Sequence, residues 1–468
     1  MTGVLSLSGT EQGRLIRGGQ ISAVELVQAH LDRIEQVNPA INAAVEVLRE
    51  SALCAAQATD RRRAAGALLG PLDGVPFSIK DSIAVAGTVC SAGTVGLRHA
   101  PPCVEDATLV RRLREAGAVP TARTNLPDLL FAFESDNLIY GRTNNPYDLE
   151  RTCGGSSGGE AALIAVCGSP FGLGSDAAGS VRLPAHFCGI SSIKPTSGRL
   201  PRTGHVPPAG GWIETLWQIG PMARHVEDLW TLMPILARAD GRDFTCVEMP
   251  HPDPAQFDVT RARVAFFADN GIARASVDTV ATLRRAAEAL ALEGALVEER
   301  RPAGIEQTYD LEMKLIGPDG GDGLRQFLRA LGSDAVHPLL EGWLAKLEAY
   351  GTSVSGFAKY WAELDQFRAR MFAFLQDYDV ILSPVCATPA LLHSTSTEDR
   401  NFRGFSYTMS YNLTGWPAAV VRCGESASGL PIDVQIAARP WREDVALAIA
   451  RRLEQELGGW KPADRRSW

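Results

Sequence analysis

Two short segments gather most of the residues in this chain that could do chemistry. The first is Gly154-Gly-Ser-Ser-Gly-Gly159, which runs into Glu160-Ala-Ala-Leu-Ile-Ala165. A glycine-rich loop feeding a helix exposes backbone N–H groups and a helix N-terminus, a place suited to negative charge. The second is Gly174-Ser-Asp-Ala-Ala-Gly-Ser-Val-Arg-Leu-Pro184, where small residues flank Ser180 and let the backbone approach a ligand. Three readings fit such loops. A nucleotide-binding loop needs Gly-Lys-Ser/Thr at its end, and no lysine follows Gly159. A nucleophile elbow of the form Gly-x-Ser-x-Gly is present at Gly154-Gly-Ser156-Ser-Gly158, and it requires an acid and then a histidine downstream. His205, His225, His251, His337 and His393 follow, none in a telling context. The third reading makes both segments structural turns. Two such loops so close together, with Asp176 and Arg182 between apolar runs, argue against that reading alone.

The elements that must position these loops are visible in the pattern around them. Over 22–37, Val24, Val27, Leu31 and Ile34 fall on one helical face. Ser22 with Glu25 three residues on has the form of a capping box. A second amphipathic helix is predicted over 106–116, ending at Gly117. From about 69 to 220, glycine, serine and short apolar runs dominate, the texture of buried strands joined by tight loops. From about 303 to 375 the chain turns helical and rich in aromatics. Strands follow at 378–384 and 418–423, and a last helix at 443–457 carries Val445, Leu447, Ile449 and Leu453. Strands and helices interleaved in this way predict an α/β fold. No composition break marks a linker. The expectation is one large domain over 1–468, a twisted mixed β-sheet core covered by helices on both faces, with a mainly helical substrate-side insertion at about 303–375.

Bulk composition narrows the function. The chain has 468 residues, 45% hydrophobic and 21% charged, enough apolar material for a sizeable core. A formal charge of −8 disfavours nucleic acid or an anionic membrane as the main partner. Nine scattered cysteines contain no Cys-x-x-Cys pair, and no His-Glu-x-x-His occurs. Neither a disulfide framework nor a metal site is expected, no cofactor is called for, and a reducing compartment fits better. Residues 1–8 lack a basic segment followed by an apolar stretch. No apolar run reaches the roughly 18 residues of a membrane helix. The expectation is a cytoplasmic protein.

Beyond the two loops, further motifs carry a resemblance. Gly74-Val-Pro-Phe-Ser-Ile-Lys-Asp81, Thr124-Asn-Leu-Pro127, Thr143-Asn-Asn-Pro146, Phe187-Cys-Gly-Ile-Ser-Ser-Ile-Lys-Pro-Thr196, Gly220-Pro-Met-Ala-Arg224, Asn412-Leu-Thr-Gly-Trp-Pro417 and Gly429-Leu-Pro431 join the glycine–serine core. Together they resemble the amidase signature family over nearly the whole chain, apart from a weakly matching stretch at about 245–375. The resemblance implies an amidohydrolase that cleaves a carboxylic amide C–N bond through an acyl-enzyme. Ser180 would be the nucleophile, Ser156 the bridge, with a cis peptide bond beside it, and Lys80 the base. Backbone N–H groups of Ala177, Ala178, Gly179 and Ser180 would form the oxyanion hole. The family usually has glycine where Ala178 stands, so a methyl would narrow the hole or shift its backbone. Carbamate hydrolysis by the same route and an amidotransferase role are the alternatives; a homodimer is a family-level expectation.

This chemistry explains why such residues are needed. An amide resists attack because its nitrogen donates into the carbonyl, and the serine must lose a proton while the nitrogen gains one. Lysine can relay that proton only when it starts neutral. Bringing its pKa from about 10.4 to near neutrality costs about 4 kcal/mol, which burial can supply. Phe77, Ile79 and Ile83 around Lys80 are suited to that, whereas the neighbouring Asp81 must point elsewhere. Ser157 reads as a structural hydroxyl near Lys80, Asp176 and Arg182 as a scaffold ion pair, and Asn125 and Asn412 as loop-ordering amides. The substrate is expected to be a small-molecule amide or carbamate with an apolar or aryl group. Phe131, Gly155, Trp212, Trp217 and Tyr309 are the candidate substrate-binding residues.

Overall fold

Runs of β-branched and small apolar residues form the strands. In chain order these are β1 (Ala44–Val47), β2 (Pro76–Lys80), β3 (Val119–Thr124), β4 (Asn144–Asn145), β5 (Asp148–Thr152), β6 (Phe171–Asp176) and β7 (Ser191–Lys194). Then follow β8 (Gln218–Ala223), β9 (Arg263–Phe266), β10 (Leu296–Glu299), β11 (Val380–Pro384), β12 (Ala418–Glu425) and β13 (Pro431–Ala438). The computed structural model describes residues 2–463. Eleven strands make one mixed sheet in the order β1-β3-β2-β6-β8-β7-β12-β13-β11-β9-β10, and β4 pairs with β5 separately.

Alternation along the strands shows what covers each face. Phe77 and Ile79 of β2, Val380 and Leu382 of β11, and Ala419 and Val421 of β12 point into one apolar cluster. The helices Thr108–Glu115, Val226–Leu236, Val277–Leu292 and Glu443–Leu457 close that side. Ile381 and Val420 point the other way, towards the helices Gly158–Ala165, Arg182–Cys188, Val354–Phe374 and Ser406–Leu413. Every residue of β2, β3, β6, β7, β8, β11 and β13 is buried, as expected of strands covered on both faces. The fold is the α/β arrangement predicted, with a large mixed sheet between helical layers.

Helix ends follow local chemistry. Ser22 Oγ accepts from Glu25 N at 3.0 Å, and the Glu25 carboxylate accepts from Ser22 N at 2.8 Å, closing the capping box. That helix runs on to Ile41, one turn beyond the predicted end, because Ile41 continues the buried stripe of Ile34 and Val37. It stops at Asn42 in the left-handed region, φ 48°. The second helix begins at Thr108, not 106, since the Asp106 carboxylate is taken by Ala86 N at 2.8 Å. The last helix spans Glu443–Leu457 as read from its pattern. Within 303–375 the helices are Thr308–Ile316, Asp322–Ala330, Pro338–Leu347 and Val354–Phe374.

What matters for chemistry is the parallel trio β3-β2-β6, in which Ser78 lies opposite Ala122 on one side and Gly172 on the other. Its carboxyl ends release Lys80 and Asp176 side by side, where open α/β sheets bind ligands. The helix Gly158–Ala165 packs beneath them, and its buried Glu160 bonds to the Ser78 and Thr124 hydroxyls. Only glycine fits at 172: a Cβ there would sit 1.8 Å from Glu160 Oε1 and 2.6 Å from the Ser78 carbonyl oxygen. Gly172→Ala is therefore expected to cost about 1–3 kcal/mol, the usual range for overpacking. The measurement is a urea melt, with a lower midpoint at unchanged slope. A parental midpoint would mean that Glu160 and β2 have room to give.

Candidate active site

Lys80 ends β2 on the face opposite Phe77 and Ile79, fully buried. Its Nζ meets three hydroxyl oxygens, Ser156 Oγ at 2.7 Å, Ser157 Oγ at 3.0 Å and Ser175 Oγ at 3.2 Å. Burial drives the Lys80 pKa well below the ordinary lysine value; the charges of Asp176 and Glu160 oppose this only in part. The adjacent carboxylate is not among the opposing charges. Asp81 turns away into a buried ion pair with Arg123 and a hydrogen bond from Ser91.

Ser156 and Ser157 lie at the mouth of the helix Gly158–Ala165. The Gly155–Ser156 peptide bond is cis. Ser157 N donates to the Ser180 carbonyl at 3.1 Å, tying the two glycine–serine loops together. Ser180 is 8% exposed and lines the same cavity as Ser156.

The Ser180 loop is wound around one carboxylate. Asp176 accepts from the backbone N–H of Gly179 at 2.8 Å and Val181 at 3.1 Å, and from Asn412 Nδ2 at 2.9 Å. Arg182 clasps it through Nε at 2.9 Å and Nη2 at 2.8 Å. Burial pushes the Asp176 carboxyl up, but Arg182 and Asn412 hold it well below the usual carboxylate range. Arg182 also reaches the Thr408 carbonyl at 2.8 Å and Gln435 Oε1 at 2.7 Å. Asp176, Arg182 and Asn412 therefore form one buried scaffold under the loop. Gly179 takes φ 121°, and a Cβ there would meet Thr408 Oγ1 at 2.3 Å.

This winding sorts the backbone donors. The Gly179 N–H is committed to Asp176, whereas no described residue accepts from the N–H of Ala177, Ala178 or Ser180. Ala178 lies outside the left-handed region, so its methyl imposes no backbone strain, and its carbonyl is held by Thr408 Oγ1 at 2.7 Å.

Above Ser180 is a narrow cavity of about 90 Å³. Leu130, Phe131, Phe133, Ile213, Trp217 and Trp343 supply most of its apolar wall. Phe131 and Trp217, two of the candidate substrate-binding residues, are among those that line it. Trp212 lies off the wall: its Nε1 donates to the Leu315 carbonyl at 2.9 Å, and its ring packs edge-on to Phe357. Tyr309 is also set back, edge-on to Phe402 and under the Arg403 guanidinium. Gly155 is enclosed by backbone, with Ala132 O 2.5 Å from where a Cβ would be. Two residues that the sequence did not single out join the site. Ser175 touches Lys80, and His205 Nε2 lies 2.9 Å from Ser175 Oγ. The only signal for Ser175 was its place beside Asp176; His205 had none. Among the described residues no cluster of His, Cys, Asp and Glu is arranged to hold a metal ion, and no helix is long and apolar enough to cross a membrane.

The family model described as Amidase matches residues 25–447. This chain belongs to the amidase family. Human fatty-acid amide hydrolase 2 is 33% identical to it over 485 residues, covering 98% of this chain and 90% of that protein. A glutamyl-tRNA(Gln) amidotransferase component from Carboxydothermus hydrogenoformans is 35% identical, covering 96% and 97%. A bacterial aryl acylamidase of the amidase signature family superposes with a TM-score of 0.88 at 26% identity, covering 98% of this chain and 99% of that one. In this amidase, removing one partner of the Asp176–Arg182 pair would leave a buried charge uncompensated. Asp176→Asn is expected to destabilise by about 3–5 kcal/mol, as such breaks typically do. Denaturant unfolding measures it, and a loss under about 1 kcal/mol would show that the loop is held by other contacts.

Proposed function

We propose that this amidase hydrolyses the C–N bond of an uncharged amide with an apolar or aryl acyl group, through an acyl-enzyme on Ser180. The observation that carries this reading is the fully buried Lys80, its pKa lowered, 2.7 Å from Ser156 Oγ. Neutral Lys80 accepts the Ser156 proton as Ser156 accepts that of Ser180, and Ser180 Oγ bonds to the substrate carbonyl carbon. The N–H groups of Ala177, Ala178 and Ser180 receive the oxyanion, each such donor being worth about 3–4 kcal/mol. The proton then passes back through Ser156 to the leaving nitrogen, the C–N bond breaks, and the amine departs. Water attacks the acyl-enzyme by the same relay and releases the acid and free Ser180.

The wall of the cavity supports the apolar acyl group. Among the described residues no lysine or arginine lines it, and the one carboxylate there, Asp176, is bound to Arg182. An amidotransferase taking glutamine must hold an ammonium and a carboxylate, which such a wall does not favour. The aryl acylamidase and the fatty-acid amide hydrolase point the same way. Segment 303–375, which gives Ile316 and Trp343 to the wall, is proposed as the substrate-side insertion of a single domain.

Ser180→Ala is expected to lower kcat by about 10⁴-fold or more and to abolish labelling by a fluorophosphonate, because members of such a unit fail together. Aryl amides, aliphatic amides, peptide amides and carbamates should be assayed side by side; turnover of glutamine in preference to all of them would overturn the hydrolase reading. Near-parental activity in Ser180→Ala would remove the nucleophile. The pH profile follows from the sign of the lysine shift. Lys80 is active when deprotonated, and its lowered pKa brings that form into the working range, so kcat/KM rises with pH through this one ionisation. Burial holds His30, His186 and His205 at about 3, 4 and 3, so they stay neutral across the limb. The limb should persist in each single His→Gln variant; a limb that disappears with one histidine would exclude the lysine.

A further inference from the structure

The hydroxyls around Lys80 raise a question of direction. A neutral amine has two N–H donors and one lone pair, and only the lone pair can take a proton from Ser156. Three hydroxyl oxygens surround Nζ, each able to donate or accept, so the lone pair has three places to point. Something must make Ser157 and Ser175 acceptors.

For Ser157 the backbone does this. Its Oγ receives Ser175 N at 3.3 Å, and its own proton goes to the Ser175 carbonyl at 3.3 Å. A carbonyl can only accept, so Ser157 cannot turn its proton to Lys80 without giving up that bond.

For Ser175 the determinant is His205. The His205 Nδ1 lies 2.9 Å from the Pro207 carbonyl, which can only accept, so Nδ1 carries the ring proton. Nε2 is then a bare acceptor, 2.9 Å from Ser175 Oγ and 3.1 Å from Ser82 Oγ. Ser175 is closer to His205 than to Lys80, where the distance is 3.2 Å. Its proton goes to Nε2, and its oxygen is left to accept from Lys80. The imidazole is 5% exposed and packs at a tilt of 44° against Trp217, with ring centroids 4.7 Å apart. Burial keeps it neutral, and the charge of Arg202 acts in the same direction.

We infer that His205 is a positioning residue for amide hydrolysis, setting the direction of the hydrogen bonds around Lys80 so that the amine's lone pair faces Ser156. It lines the cavity beside Ser175, and among the described residues no hydrogen bond joins it to Ser180. A protonated or absent imidazole frees the Ser175 proton to occupy the Lys80 lone pair, and Ser156 loses its acceptor. The inference rests on the Ser180–Ser156–Lys80 reading.

The test uses the full-length enzyme, a fluorophosphonate probe and a benzoyl 4-nitroanilide. His205→Phe keeps a flat ring but cannot accept from Ser175. It is expected to slow labelling and lower kcat by about tenfold or more, part of what a well-placed base supplies, with KM within about twofold. His205→Gln offers an oxygen to Ser175 and an N–H to the Pro207 carbonyl, and should restore most of the rate. Ser175→Ala removes the same link, so the double variant Ser175→Ala with His205→Phe should be no slower than the slower single one. Parental kcat in His205→Phe, equal losses in the Gln and Phe variants, or losses that multiply in the double variant would each overturn the inference. Should His205→Phe fail to fold, His205→Leu carries the test in its place, and parental kcat there would overturn the inference. Failure of the underlying reading looks different: Lys80→Ala would label at the parental rate whatever replaces His205.

Discussion

A lysine buried with no carboxylate bonded to it among the described residues is pushed towards its neutral form by the surrounding fold. Lys80 stands at the end of a strand whose residues are all buried, with Phe77 and Ile79 packed behind it. Charging it there would mean desolvating an ammonium among hydroxyls, which stabilise a cation far less than water does. Much of the neighbouring architecture follows from this constraint. Asp81 is drawn off by Arg123, Asp176 is neutralised by Arg182, and Glu160 has its pKa raised to about 7 by burial, offset in part by the Ser78 and Thr124 hydroxyls. Each nearby carboxylate that would stabilise a lysinium is occupied by another partner.

The loop scaffold solves a second problem in a similar way. A nucleophile loop must leave some backbone N–H groups unpaired, yet unpaired buried N–H groups are costly. Asp176 collects the N–H groups of Gly179 and Val181, and the loop keeps those of Ala177, Ala178 and Ser180 without a partner among the described residues. One carboxylate thereby decides which donors are left open. Asn412, from the far end of the chain, locks that carboxylate, so the loop's shape depends on the helix Ser406–Leu413 as much as on its own sequence.

What could be read from the residues divides along physical lines. Local signals were legible: the Ser22–Glu25 box, the apolar stripe of the last helix, and the glycine–serine runs that must hold close backbone approaches. The burial of Lys80 was legible too, because its segment reads as an apolar strand. Contacts made across the fold were not. His205 sits in a loop with no periodicity, and its meaning comes from Ser175, brought to it by strand order. Trp212 and Tyr309 show why aromatic residues near a site are ambiguous: the sequence shows an apolar ring, not whether it faces the cavity, packs behind it as Tyr309 does, or stays exposed as Trp212 does. The commitment of the Gly179 N–H was likewise invisible, since residue type does not encode where a backbone donor points.

The cavity wall and the cluster of serines around Lys80 come from different layers of the molecule. Lys80, Ser156, Ser175 and Ser180 sit on the sheet ends and the helix mouths beside them, whereas Ile316 and Trp343 reach in from helices that make no part of the sheet. A change at Ile316 or Trp343 alters the shape of the cavity without touching a strand register or one of these serines. The chain can therefore drift from one acyl group to another through single steps, each leaving a working enzyme. Divergence in substrate is mechanically easy here, and divergence in chemistry is not.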